Sequence, residues 1–200
     1  MVTKQPFELS ADLTEDRLNV LCDKCLDTIA DSIKDSSSNH DTAWTKGCLP
    51  YGRLQGLMID LSSNRDLPWI SLANKTMDYT VRIGRTLVQF VIDDAYNPKK
   101  THRLSKNSLE NMQFSLELEQ HNKIEAVAWR VFIGIDRQDH QVEPTATLVG
   151  FDFNQNPVCY WDYEDNVITP VISEITKTVE IPEPLLARKQ SRDNLSDETK

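Results

Sequence analysis

Residues 79–92 read YTVRIGRTLVQFVI, and this stretch decides the class of fold. Apolar and polar residues alternate in its first half, which is the period of a half-buried β-strand. From Leu87 onward the residues are mostly apolar and β-branched or aromatic, which favours a second strand. The pair Gly84 and Arg85 between the two halves suits a two-residue hairpin turn with glycine first. We therefore predict a β-hairpin over 78–92.

The chain before this hairpin has helical periodicity. Asp12 and Glu15 have the spacing of a capping box, which predicts a helix over 12–34. Its apolar residues recur at steps of three and four and form one stripe: Leu18, Leu21, Cys22, Cys25, Leu26, Ile29 and Ile33. The same spacing predicts a second amphipathic helix over 51–63, which ends before the break at Pro68.

The chain after the hairpin predicts one more helix and then strands. The helix is expected over 108–120. Its apolar residues are Leu109, Met112 and Leu116, with Phe114 beside them. Alternating residues over 124–163 predict a three-stranded antiparallel meander. Because helices precede hairpin strands, we expect an α+β fold, with N-terminal amphipathic helices packed on one face of a mainly antiparallel sheet of about five strands.

Length and composition are those of a globular protein with a short tail. The chain has 200 residues, of which 39% are hydrophobic and 26% are charged. We expect one domain over 1–181 and a disordered, charged tail over 182–200. No apolar run approaches the roughly 20 residues of a transmembrane helix, and no signal-peptide core follows Met1. These features predict a cytoplasmic protein that does not enter a membrane.

The charge balance restricts the partners of the protein. The formal net charge is -9, so the overall field repels nucleic acids and anionic membranes. Nucleic-acid binding is therefore disfavoured, although a local basic cluster could oppose this field. The chain contains only 6 glycines and none at G-x-G spacing, which excludes a glycine-rich phosphate loop. We expect no cofactor.

The Cys22-x-x-Cys25 pair is the first motif that resembles a metal or redox site. A zinc site needs four ligands, and the remaining cysteines, Cys48 and Cys159, are isolated in sequence. A redox pair normally begins a helix, whereas these two residues lie within the apolar stripe of the first helix. We therefore interpret both thiols as core residues, ahead of a metal or redox role.

Three carboxylates could form a metal site if two strands of the meander pair. Asp136 ends one predicted strand, Asp139 lies in the turn after it, and Asp152 lies on the next strand. Carboxylates that converge can hold Mg²⁺ for phosphoryl chemistry. The alternative is that Asp136 and Asp139 are turn residues and that Asp152 faces solvent.

A basic cluster precedes the third helix and could bind an anion. It consists of Lys99, Lys100, His102, Arg103 and Lys106, and Arg82 and Arg85 of the hairpin could approach it. The start of the helix would help to hold a phosphate group or a nucleic acid. The alternative is a solvated loop whose charges balance Asp93 and Asp94.

Aromatic residues concentrate on the late strands. They are Trp129, Phe132, Phe151, Phe153, Tyr160, Trp161 and Tyr163. If one face of the sheet is left open, these side chains form a sticky patch that marks a partner site. If helices cover both faces, they are core residues.

We rank a non-catalytic interaction module or accessory subunit first, with a protein partner or self-association. Anion or nucleic-acid binding by the basic loop and metal-dependent phosphoryl hydrolysis follow, so catalysis ranks behind binding.

Overall fold

Two long helices precede a six-stranded sheet in the computed structural model, which describes residues 4–119, 126–136 and 143–164. In these ranges the helices are α1 (Pro6–Leu9), α2 (Glu15–Asp35), α3 (Ala43–Ser63) and α4 (Ser108–Glu119), with a short 3-10 helix at Thr101–Leu104. The strands are β1 (Ile70–Asn74), β2 (Thr80–Ile83), β3 (Thr86–Ile92), β4 (Ala128–Gly134), β5 (Thr145–Phe151) and β6 (Pro157–Asp162).

The strands follow one another across the sheet in chain order, β1 to β6. All neighbouring pairs are antiparallel except β3 and β4, which are parallel. The predicted α+β class is confirmed, with N-terminal helices before a mostly antiparallel sheet. The hairpin over 78–92 corresponds to β2 and β3, and the meander over 124–163 corresponds to β4, β5 and β6. The sheet has six strands rather than about five because β1 was not predicted.

The two faces of the sheet are covered by different elements. Alternation along the strands directs Val88 and Trp129 toward α2 and α3, where they join the larger apolar core. We call this side the helix face. Phe132 and Val149 point to the opposite side, where they pack with Phe114 of α4. We call this side the crossover face, because the connection from β3 to β4 crosses it.

A buried ion pair fastens the crossover to the sheet. Glu110 and Asn107 form a reciprocal cap at the start of α4, because each backbone N–H donates to the other side chain at 2.9 Å. Glu110 also accepts from the guanidinium of Arg130 on β4, at 2.9 Å from Nη2 to Oε2. The start of α4 is therefore fixed over the middle of the sheet.

Two helices differ in detail from their sequence-based predictions. The helix expected over 51–63 begins earlier, at Ala43, and runs through Pro50, which is buried. A proline inside a helix removes one backbone hydrogen bond, which is why the pattern indicated a later start. Among the α4 side chains whose burial is described, Phe114 is the buried apolar one, while Met112, which we expected on the apolar side, is 62% exposed. The buried side of α4 includes the charged Glu110, so the apolar pattern of the sequence does not indicate which side of the helix is buried.

The β2–β3 turn is held by the segment before α2. Gly84 has a φ of 57°, which L-residues rarely adopt. The carboxylate of Asp12 accepts from the N–H of Arg85 at 2.9 Å and lies where a side chain at position 84 would be. Glycine at this position therefore serves both the turn and the close approach of Asp12.

The boundary expected between 181 and 182, and the predicted tail, lie outside the described residues. Of the helices described, none is long and apolar enough to cross a membrane.

Candidate functional site

An open cleft of about 780 Å³ lies on the crossover face, where the parallel strands β3 and β4 end. Ligands commonly bind outside the carboxyl ends of parallel strands, because loops diverge there and leave room between them. We call this site the carboxyl-end cleft. It is lined by Ile92, Asp93, Asp94, Ala95, Tyr96, Asn97, Lys99, Lys100, Phe132, Gly134, Ile135, Asp136, Glu143, Thr145 and Thr147.

One side of the cleft is a loop organised by Asp93. The carboxylate of Asp93 accepts from the backbone N–H groups of Lys99 and Lys100, at 2.8 and 2.6 Å. The ammonium of Lys100 turns back to donate to the carbonyl of Ile92 at 2.7 Å. These bonds close the loop after β3, so this side of the cleft is preformed.

The same loop also contributes an aromatic ring to the cleft, from Tyr96. The ring of Tyr96 stacks on Tyr160 of β6, with 5.2 Å between ring centroids and 8° between their planes. The Tyr96 hydroxyl donates to Asp162 at 2.6 Å, and Asp162 also accepts from Thr147 at 2.8 Å. The hydrogen bond to Asp162 raises the pKa of Tyr96 to about 12. Tyr96 is 64% exposed, so one side of its ring remains accessible.

The charges around the cleft favour a positive ligand. Four carboxylates line it, from Asp93, Asp94, Asp136 and Glu143, against two ammonium groups, from Lys99 and Lys100. Both Asp136 and Glu143 are exposed. Carboxylates beside an accessible aromatic ring attract ammonium and guanidinium groups, both by charge and through the ring face. The arrangement therefore suits a lysine or arginine side chain.

Of the predicted metal ligands, the structure describes Asp136 and Asp152, and it does not bring these two together. Asp136 follows β4 and lines the cleft, whereas Asp152 follows β5, its antiparallel neighbour. The two ends are six residues apart along the ladder, which is about 20 Å. Asp152 instead accepts from the N–H of Asn156 at 2.8 Å and stabilises the β5–β6 turn. That hydrogen bond lowers the pKa of Asp152. Asp139 lies outside the described residues.

The predicted basic cluster is divided among separate contacts. Lys99 and Lys100 line the cleft, whereas Arg103 forms an ion pair with Asp78 and lies over the Tyr51 ring, 5.1 Å from its centroid. Lys106 donates to the carbonyl of Phe153 at 2.7 Å. Arg103 and Lys106 are thus held by different parts of the fold, away from the two lysines at the cleft.

The remaining members of the basic cluster do not join it either. His102 is exposed in the 3-10 helix, and Arg82 is exposed on β2. Arg85 lies at the β2–β3 turn, with its Nε 3.9 Å from the Asp12 carboxylate. This turn is at the opposite end of β3 from Lys99 and Lys100. The seven residues therefore do not form one anion-binding surface.

The cysteine pair occupies the core, as the apolar stripe of α2 indicated. Cys22 and Cys25 are both buried free thiols. Burial raises the pKa of Cys22 to about 12 and that of Cys25 well above its usual value. Over the described ranges, no three His, Cys, Asp or Glu side chains come together as a metal ion would require.

The aromatic residues of the late strands are shared between the two faces. Trp129 packs on the helix face, and Phe132 and Phe151 pack on the crossover face, all of them buried. Trp161 and Tyr160 are only partly buried, and both belong to β6. A continuous aromatic patch therefore does not form, but β6 retains accessible aromatic side chains.

Sequence reasoning missed the carboxyl-end cleft. It treated Asp93 and Asp94 only as charges that balance the basic loop. The available signal was a carboxylate soon after each of two buried strands. Asp93 directly follows β3, and Asp136 lies two residues after β4. Such residues meet only if the strands are parallel neighbours, which no local pattern reveals.

Comparisons with protein-family models, with curated proteins and with solved structures find no match for this chain.

Proposed function

We propose that this chain is a non-catalytic interaction module that binds a basic segment of a protein partner in its carboxyl-end cleft. The observation that carries the proposal is the composition of the cleft wall. Four carboxylates outnumber two ammonium groups, and the exposed ring of Tyr96 stands beside them. A lysine or arginine side chain satisfies both features at once.

The hydrogen bonds around the cleft support binding rather than chemistry. Asp93 is occupied by two backbone N–H groups, and Asp94 accepts from the N–H of Tyr96 at 2.9 Å. These carboxylates shape the loop and contribute negative charge to the cleft. Glu143 is exposed at the rim, and it is the group that we expect to meet the incoming cation.

The dispersed basic residues argue against the alternative of a basic anion site. Arg103 and Lys106 are engaged by Asp78 and by the Phe153 carbonyl. An anion at the cleft would also meet the carboxylates that line it. A cytoplasmic location, expected from the sequence, belongs to the same proposal.

Nuclear magnetic resonance can locate the site. We expect a capped tri-arginine peptide to shift the backbone amide resonances of Tyr96, Asp136 and Thr147. A capped tri-glutamate peptide of equal length is the control and should leave them unchanged. Equal shifts with both peptides, or shifts confined to α2 and α3, would contradict the proposal.

A further inference from the structure

Among the described residues, strand β6 is an edge of the sheet, and part of its backbone has no neighbouring strand there. Tyr163 donates its N–H to the carbonyl of Ala146 at 3.0 Å, so these two residues form a hydrogen-bonded pair. Such pairs alternate along an antiparallel ladder, which directs Trp161 and Cys159 toward β5 as well. The N–H and C=O groups of Tyr160 and Asp162 therefore point away from the sheet.

The other edge, β1, offers a poorer surface for pairing. The N–H of Ile70 is already bonded to the carbonyl of Leu67 at 3.1 Å. The register between β1 and β2 is interrupted between Leu72 and Asn74. A bulge of this kind bends a strand and protects its edge from further pairing. By contrast, β6 is regular from Cys159 to Asp162, and its register shift lies before this run.

We propose that β6 is a self-association edge, on which a second copy of this chain adds its own β6 antiparallel about a two-fold axis at Trp161. Tyr160 of each copy then faces Asp162 of the other, and the two residues exchange N–H···O bonds in both directions. Trp161 faces Trp161 of the second copy, and aromatic pairs opposite each other stabilise neighbouring strands.

Charge and strand regularity together select this register among the two-fold arrangements. An axis at Asp162 would place two carboxylates opposite each other, which is unfavourable. An axis at Tyr160 would pair Asp162 with Val158 of the second copy. Val158 lies at the register shift and has no partner on β5, so the strand is irregular there. The axis at Trp161 places Asp162 opposite Tyr160, so like charges are staggered. The Tyr160 ring is already stacked on Tyr96, 5.2 Å between centroids, and need not move.

The same edge suits a second copy because a two-fold interface must be self-complementary. Its central residue, Trp161, is only partly buried in the single chain. This proposal does not depend on the ligand of the carboxyl-end cleft.

Sedimentation equilibrium of the full chain over a wide concentration range tests the proposal. We expect a reversible monomer–dimer equilibrium. Trp161→Lys places two ammonium groups together at the axis and should weaken the dimer by about tenfold or more. Ser71→Lys, at the exposed face of the other edge strand, is the matched control and should leave the equilibrium unchanged. A dimer that survives Trp161→Lys, or that Ser71→Lys abolishes, would overturn the proposed edge.

Hydrogen exchange on the unmodified chain gives a second measurement that does not depend on a variant folding. The amides of Tyr160 and Asp162 should be protected at high concentration and should exchange quickly on dilution. A chain that stays monomeric throughout, with fast exchange at both amides, would overturn the proposal.

Discussion

Arg130 at the middle of β4 and Glu110 in the first turn of α4 form an ion pair that solvent does not reach. Their side chains are 0% and 3% exposed. The guanidinium also donates to the carbonyls of Arg103 and Ser105, at 3.2 and 3.3 Å. The pair therefore ties the central strand to the crossover that begins at the carboxyl-end cleft.

Removing one partner of this pair should strongly destabilise the fold. Arg130→Met leaves the Glu110 carboxylate buried without its counter-ion, which typically costs about 3–5 kcal/mol. The double variant Arg130→Met, Glu110→Leu removes both charges and should recover a large part of that loss. Urea unfolding followed by circular dichroism measures both. A loss below about 1 kcal/mol for the single variant would show that the charges are not coupled in the folded protein.

Gly84→Ala should destabilise the β2–β3 turn. The residue has a φ of 57°, and an added Cβ would lie 2.2 Å from an oxygen of Asp12. Strain at such a position costs about 1–3 kcal/mol. The control is Gly52→Ala in α3, where a Cβ meets nothing within 4 Å. Because alanine favours the helix, that variant should instead gain roughly 0.5–1 kcal/mol. Thermal unfolding measures both changes. A change in stability of the same sign for both variants would contradict this explanation of Gly84.

Much of the fold could be predicted because its elements are locally patterned. The stripe of α2 and the alternation before Gly84 each depend on neighbours in sequence. Strand β1 was missed because its five residues carry no clear period and follow Pro68. The parallel pairing of β3 with β4 joins residues separated by a helix, and no local pattern determines it. The carboxyl-end cleft depends on that pairing and was missed with it.

The candidate site residues illustrate the same division. The interpretation of Cys22 and Cys25 as core residues followed from their place on an apolar stripe. Asp136 and Asp152 were grouped because they are near in sequence on adjacent strands. Antiparallel pairing places them at opposite ends of the ladder. Sequence proximity predicts a turn well, but it does not predict which end of a sheet a residue occupies.

Tyr79→Phe should leave the free energy of unfolding unchanged or raise it by up to about 1 kcal/mol. The Tyr79 hydroxyl is buried and has no hydrogen-bond partner among the described residues. Its ring contributes the packing, against Tyr51 and Phe90 at centroid distances of 5.4 and 5.8 Å. Phenylalanine keeps that packing and removes the unsatisfied group. A loss above about 1 kcal/mol in urea unfolding would indicate a hydrogen bond at this hydroxyl in solution.

Stability should fall as the pH rises above 9. Burial raises the pKa of Cys22 from 9.0 to about 12, so the thiol ionises in the unfolded chain before it ionises in the folded one. The unfolded state therefore releases a proton first. As the pH rises, the free energy of unfolding falls by about 1.4 kcal/mol per pH unit for one thiol. Below pH 9 the effect of this thiol is constant.

Comparison of two variants isolates that effect from other alkaline titrations. In Cys22→Ala, the free energy of unfolding should fall less steeply with pH between about 9 and 10.5, whatever the absolute stability of the variant. Cys48 is exposed, so Cys48→Ala should leave the slope unchanged. Equal slopes for the two variants would show that Cys22 ionises as readily in the folded chain as in the unfolded chain.

The most direct test of the proposed function is the affinity of a fluorescent tri-arginine peptide, measured by anisotropy. Asp136→Asn with Glu143→Gln removes two of the exposed carboxylates of the cleft and should weaken binding by about tenfold. Asp27→Asn with Asp31→Asn removes two exposed carboxylates of α2, on the other side of the sheet, and should leave binding within about twofold. Equal losses for both double variants would mean that the peptide responds only to net charge, and would contradict a cation site in the cleft.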